Sequence, residues 1–269
     1  MKHRAFIGCV NVLLAASLSA PADAQAPLPG YTPFSARYRI VQSTQRSQAV
    51  QGQIIASIDS AVQLTSLVLA KDGAALALTI TMDSISASSS GAGMPPADPN
   101  GAIGLKFTGA MATDGHVTNS NVADKAGNAS ESPYAAAFRS FLPRLKVGAT
   151  PGATWADTTS TTRPQNGATV TTTVMTVYTL VGDTTVAGAK HWKIATTSTG
   201  TVNGSGSQGG ADFTIKGNIN SSGVFVVSPN AALQGADLMS DANMTVEVPM
   251  ASMQIPVTQK QTTKISRVP

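Results

Sequence analysis

The chain has 269 residues, with 18 lysines and arginines against 14 aspartates and glutamates, one cysteine and only 5% aromatic residues. Its basic residues are scattered, which excludes nucleic-acid recognition through a clustered basic face with stacking aromatics. A single cysteine excludes an internal disulfide and any zinc site built on cysteine.

Residues 1–24 carry the three parts of a secretory signal. Lys2, His3 and Arg4 make a basic start, and an apolar run from Ala5 to Ala20 follows. That run is shorter than the roughly 20 apolar residues a membrane-spanning helix needs. Ala22-Asp23-Ala24 then offers small residues at the −3 and −1 positions of a cleavage site before Gln25. Cys9 lies inside the apolar run, too early for a lipidation cysteine, and leaves with it. Losing Lys2, Arg4 and Asp23 leaves 16 basic and 13 acidic residues, a net charge of +3 on the 245 that remain. No second long apolar stretch follows, so the expected product is exported to the periplasm or the exterior and does not span the membrane.

Residues 25–35, with Pro27, Pro29 and Pro33, read as an extended lead-in to a single β-rich domain over 36–269. Tyr38 and Ile40 alternate with Arg37 and Arg39, and a second strand covers Val50 to Ile58. Val62 to Leu69 turns at Lys71-Asp72-Gly73 and returns through Leu76, Leu78, Ile80 and Met82. Ala77, Thr79, Thr81 and Asp83 occupy the opposite face, a period of two that marks a sheet with one apolar side. Residues 86–103, with Ser88-Ser89-Ser90-Gly91, Pro95-Pro96 and Asp98-Pro99-Asn100-Gly101, read as a mobile loop.

Leu105, Phe107 and Met111 resume a strand, and His116 to Thr118 pairs back after Asp114-Gly115. Ser130 to Phe141 predicts a helix, with Pro133 suited to its first turn and Tyr134, Phe138 and Phe141 on one stripe. Hairpins follow from Gly152. Trp155 to Thr162, Val170 to Val181, Trp192 to Thr199, Ala211 to Ile219, Gly223 to Val227 and Met244 to Met250 precede a last strand through Ile255, Val257 and Ile265. A turn at Gly182-Asp183, a loop at 203–210 and a loop or short helical turn at 229–241 separate them. Strands at this spacing without helices between them form an antiparallel meander. The expected fold is mainly β: a single curved antiparallel sheet or open barrel with one packed helix.

No residue set forms a catalytic or metal-binding pattern. His116 and His191 stand far apart, and there is no Gly-x-Ser-x-Gly elbow. Only two glutamates, Glu131 and Glu247, occur, and no calcium-loop spacing is present. Gly204-x-Gly206-x-x-Gly209 matches the dinucleotide fingerprint in letters only, because a strand follows where a helix is required. Asn128, Asn203, Asn220 and Asn243 open glycosylation sequons, which matter only in a glycosylating pathway. No cofactor or metal is expected, and the protein is read as non-catalytic.

Phe141-Leu142-Pro143-Arg144-Leu145-Lys146-Val147-Gly148, leading to Trp155, resembles the middle of several bacterial exported families related to the lipoprotein-carrier fold of LolA, LolB and LppX. The resemblance covers the order of signal, strands, helix, Leu-Pro, Trp and meander, over about residues 36–267. It implies a curved antiparallel sheet, plugged by helical segments, that holds acyl chains on its concave face. This chain has fewer helical segments than that pattern.

Alternation sets out a lining for an apolar ligand, a lipid or acyl chain, on one sheet face: Leu76, Leu78, Ile80, Met82, Phe107, Phe213 and Ile215. The alternatives are a structural or protein-interaction module of the envelope without a small ligand and, third, an exported hydrolase. Neither partner nor oligomeric state is readable. N-terminal sequencing of exported protein is expected to begin at Gln25, or at Pro27 if Ala24-Gln25-Ala26 is the site, and Met1 on the mature chain would exclude cleavage.

Overall fold

In the computed structural model the described residues are 27–50, 52–91, 99–128, 138, 141–165, 168–208 and 210–269. They form eleven strands: β1 Phe34–Val50, β2 Gln53–Asp72, β3 Ala75–Gly91, β4 Lys106–Met111, β5 Val117–Ala123, β6 Thr154–Gln165, β7 Ala168–Val186, β8 Ala189–Gln208, β9 Ala211–Val227, β10 Leu233–Val248 and β11 Met253–Val268. All belong to one antiparallel sheet in the order β5-β4-β3-β2-β1-β11-β10-β9-β8-β7-β6. The first and last strands pair in its middle, from Arg37 opposite Val268 to Gln48 opposite Val257. The free edges are β5 and β6, so the sheet is open.

Several segments read as turns or loops are strand. Ser88–Gly91, placed in the 86–103 loop, pairs with Ser57–Ser60, and Ser89 donates a hydrogen bond to Asp59 Oδ1 at 2.6 Å. Gly204 and Gly206 stand in β8 opposite Val170 and Ala168 instead of in a loop. Between Leu180 and Gly182 lies a bulge, not a turn, and β7 runs on to Val186. The 229–241 loop is largely β10, which starts at Leu233.

Conversely, the strand expected over Val50–Ile58 is interrupted around Gly52, whose φ of 78° suits a turn glycine. Pairing is the physical reason for the added strand: Gly204 and Gly206 pair with β7 and β9, and Ser88–Gly91 with β2, and these ladders outweigh the weak strand preference of serine and glycine. The expected helix at 130–141 lies outside the described residues, except for Phe138 and Phe141, which are both buried.

The main core fills one end of the sheet. At about 3.3 Å per residue a 17-residue strand such as β1 spans about 56 Å. The main cluster covers only the early part of β1 and β3, the late part of β2 and their counterparts across the sheet. Tyr38, Leu67, Ile80, Met82, Phe107, Leu180 and Ile194 lie at its centre.

Three segments outside the sheet complete this core. Leu28 and Tyr31 insert from the lead-in, Leu105 precedes β4, and Phe138, Phe141 and Leu145 come from the strap between β5 and β6. Tyr31 donates its hydroxyl hydrogen to the Pro143 carbonyl oxygen (2.8 Å), and Tyr38 donates to that of Leu233 (2.9 Å).

The strap bridges the two sheet edges. Arg144 reaches Asp114, in the turn before β5, with Nη1–Oδ1 at 3.2 Å. It also reaches Asp157 on β6, with Nε–Oδ2 at 3.3 Å. Its Nε–H is not aimed at the second carboxylate, so that contact is Coulombic and not a hydrogen bond. Its carbonyl accepts from Trp155 Nε1 at 3.1 Å, and Trp155 stacks on Tyr178.

Phe141 meets Tyr38 edge-to-face at 5.1 Å between centroids. Phe141→Ala is expected to cost about 3–5 kcal/mol in denaturant unfolding, because a fully packed ring leaves a cavity.

Burial pushes the Tyr31 and Tyr38 phenols above their usual range. Tyr178 is shifted in the same direction, with burial again the largest cause. A phenol whose folded pKa lies above its unfolded one holds its proton more tightly in the folded state. The resulting stability is whole below the unfolded pKa of about 10 and is lost as pH rises through the folded values. Melting temperature is therefore expected to fall steeply above about pH 10, and less steeply in a Tyr31→Phe/Tyr38→Phe variant.

Candidate functional site

Strand register assigns every residue to one of two faces. The inward face, continuous with the core, carries all of the residues expected to line a ligand. Leu76, Leu78, Ile80 and Met82 alternate along β3, and Phe107 on β4 stands opposite Ile80. All five are buried within the main core. Phe213 and Ile215, on β9, are at the other end of the strands, in a second cluster with Val170 and Val202. The sequence set therefore shares a face but not a place.

Between the two clusters the inward face turns polar. Thr44, Gln63, Thr65 and Thr196 are buried there, and Gln63 Oε1 and Thr65 Oγ1 have no hydrogen-bond partner among the described residues. Beyond this belt β8 and β9 present glycines inward, because large neighbours lie over them. A Cβ on Gly217 would meet Met244 Cγ at 2.6 Å, and one on Gly200 would meet Val174 Cγ2 at 2.9 Å.

The open space lies on the opposite, outward face. One groove, of about 670 Å³, crosses five strands between two cross-strand rows. The first row is Val41, Lys264, Asp237, Val224 and Ala195. The second holds Ser43, Thr262, Met239 and Ser222. Val41, Ala195, Val224 and Met239 give it an apolar floor, and the hydroxyls, Asp237 and Lys264 give it a polar rim. Met239 is 59% exposed.

A second groove, of about 590 Å³, lies further along the same face over β8–β11. Its lining includes Thr201, Asn203, Asn218, Asn243 and Thr258. None of the seven residues expected from sequence lines either groove. The sequence signal for the first groove is slight: Val41, Val224 and Met239 are apolar residues at outward positions that are mostly polar.

Among the described residues no group of three His, Cys, Asp or Glu side chains converges as metal ligands would. His191 is buried, with Nδ1 2.8 Å from the Ala189 carbonyl oxygen. His116 donates its backbone N–H to Asp114 Oδ1 at 2.9 Å.

The fold is thus an open, eleven-stranded antiparallel sheet with its core at one end and two grooves on its outward face. No protein-family model and no curated protein matches the chain. Among solved structures it is similar to OccK8 (OprE) of Pseudomonas aeruginosa, at 7% identity and a TM-score of 0.24, covering 90% of this chain and 100% of that one. It is also similar to OmpTdeltaL8, a loop L8 deletion mutant of the outer membrane protein OmpT of Vibrio cholerae. That likeness has 9% identity and a TM-score of 0.15, covering 88% of this chain and 99% of that one. Scores this low describe no common fold.

Proposed function

We propose that the mature chain is an exported, non-catalytic protein of the cell envelope that binds an apolar ligand such as a lipid or acyl chain. The observation that carries this reading is the apolar groove of about 670 Å³ across β1, β11, β10, β9 and β8. Its size falls within the roughly 300–1,000 Å³ of small-molecule sites. Burying a ligand against Val41, Ala195, Val224 and Met239 would contribute about 25 cal/mol per Å² of apolar surface removed from water.

In the LolA, LolB and LppX fold that the sequence resembles, acyl chains sit on the concave face. Here the core end of the inward face is filled by its own side chains, and the groove on the outward face takes that role. The same face carries Arg37, Arg39, Lys193, Lys216, Lys260, Lys264, Asp237, Asp241 and Glu247. So many charges suit water and oppose the apolar outer band of a membrane-spanning barrel. Among the described residues no helix is long and apolar enough to cross a membrane.

A second reading, a protein-interaction module, is favoured by the open edges. Among the described residues β6 pairs with β7 alone, which leaves a row of its backbone groups available to an added strand.

The test is titration with a fluorescent fatty acid. Wild-type protein is expected to bind saturably, and Val224→Asp and Met239→Asp, both on the sheet surface, to weaken binding at least tenfold with the melting temperature retained. A folded wild type that binds no fatty acid would exclude the apolar-ligand reading and leave the interaction module.

A further inference from the structure

We propose that the second groove is a separate binding site for a neutral, polyhydroxylated chain, an oligo- or polysaccharide. Register brings one cross-strand row of uncharged hydroxyl and amide side chains onto the outward face. It runs Ser160, Thr173, Thr201, Asn218, Asn243, Thr258 and Ser47 across seven adjacent strands. At about 4.7–4.9 Å per strand the row is about 28 Å long. Such a row presents hydrogen-bonding groups at one short, regular interval, as an extended sugar chain does.

The chemistry of the row is selective. A hydroxyl both donates and accepts, and an asparagine amide offers two donors beside one acceptor oxygen. Ser160 and Thr173 already pair with each other at 3.0 Å. Sugar hydroxyls have the same dual character as the groups that line the groove, whereas an acyl chain would cover Thr201, Asn218, Asn243 and Thr258 without pairing them, at a cost for each. Thr201, Asn218, Asn243 and Thr258 are exposed and line the groove of about 590 Å³.

The charges bordering this groove offset one another. Lys216 Nζ lies 3.8 Å from Glu247 Oε2, and Thr214 donates to the same carboxylate oxygen at 3.3 Å. The site therefore has no uncompensated cation to select an anionic polymer and no free carboxylate to select a cationic one. Among the described residues no aromatic side chain lines it, so binding depends on many weak hydrogen bonds held in place by rigid strands. Affinity should then grow with the length of the sugar chain, as each further unit engages another strand without a new loss of rigid-body freedom.

The site is independent of the apolar groove. The row Thr199, Asn220, Asp241 and Lys260 lies between them.

The experiment is calorimetric titration of the full mature chain with the tri- and hexasaccharides of the malto-, cello- and chito- series. At least one hexasaccharide is expected to bind, at least tenfold more tightly than its trisaccharide and with the same affinity at low and high salt. Asn218→Ala/Asn243→Ala, two exposed positions, should weaken that binding at least tenfold, and Met239→Asp should leave it unchanged. Fatty-acid binding by the asparagine variant should equal that of wild type, which separates this site from the apolar groove. The proposal is overturned if no hexasaccharide binds. It is equally overturned if binding persists in the asparagine variant or disappears in high salt, since either would place the sugar elsewhere or assign its capture to charge.

Discussion

The architecture depends on the pairing of the first strand with the last. β1 and β11 lie side by side along most of their length, so the first and last strands meet in the middle of the sheet. Every other strand pairs with its sequence neighbour, apart from β5 and β6, which the meander leaves as free edges. A contact between residues more than two hundred positions apart carries a loop-closure cost, although that cost rises only with the logarithm of the loop length. The long ladder offsets it by satisfying the inner backbone groups of both strands.

That pairing creates the need for the strap. An open sheet with one apolar face must cover it with something other than its own missing strands, and residues 138–149 supply Phe138, Phe141, Leu145 and Ala149. Arg144 ties the strap to Asp114 at one edge and Asp157 at the other. The Tyr31 hydroxyl holds the carbonyl of Pro143 from the side of the lead-in. The cover is short compared with strands of 16–20 residues, so the main core occupies one end, and among the described residues the far end holds only the smaller cluster around Val170 and Val202. Both grooves lie on the outward face of this sheet, and neither competes with the core for space.

The grooves differ because the outward rows differ. Near the core end, Val41, Val224 and Met239 break the polar pattern and leave apolar surface that water solvates poorly. Toward the far end the same face becomes hydroxyls and amides. A single sheet can present both because side chains one row apart on the same face are held by separate backbone positions and need not share a ligand.

Alternation in the sequence was sufficient for the strand-rich fold and for the inward side of β3, β4 and β9. Leu76, Leu78, Ile80 and Met82 show this most plainly: a period of two leaves one way to bury all four. The buried ends of the predicted helix, Phe138 and Phe141, were likewise readable as apolar positions needing cover. What alternation does not contain is the order of strands across the sheet. Whether Phe213 lies beside Phe107 or at the opposite end of the sheet depends on register and on pairings between distant strands, and these place the two in different clusters. The same holds for serine and glycine segments such as Ser88–Gly91 and Gly204–Gly206, which are loop-like alone and strand when neighbours supply a ladder. The grooves are wholly of this kind. Val41, Val224 and Met239 are scattered single residues in the sequence, and only the tertiary register of five strands makes them one surface.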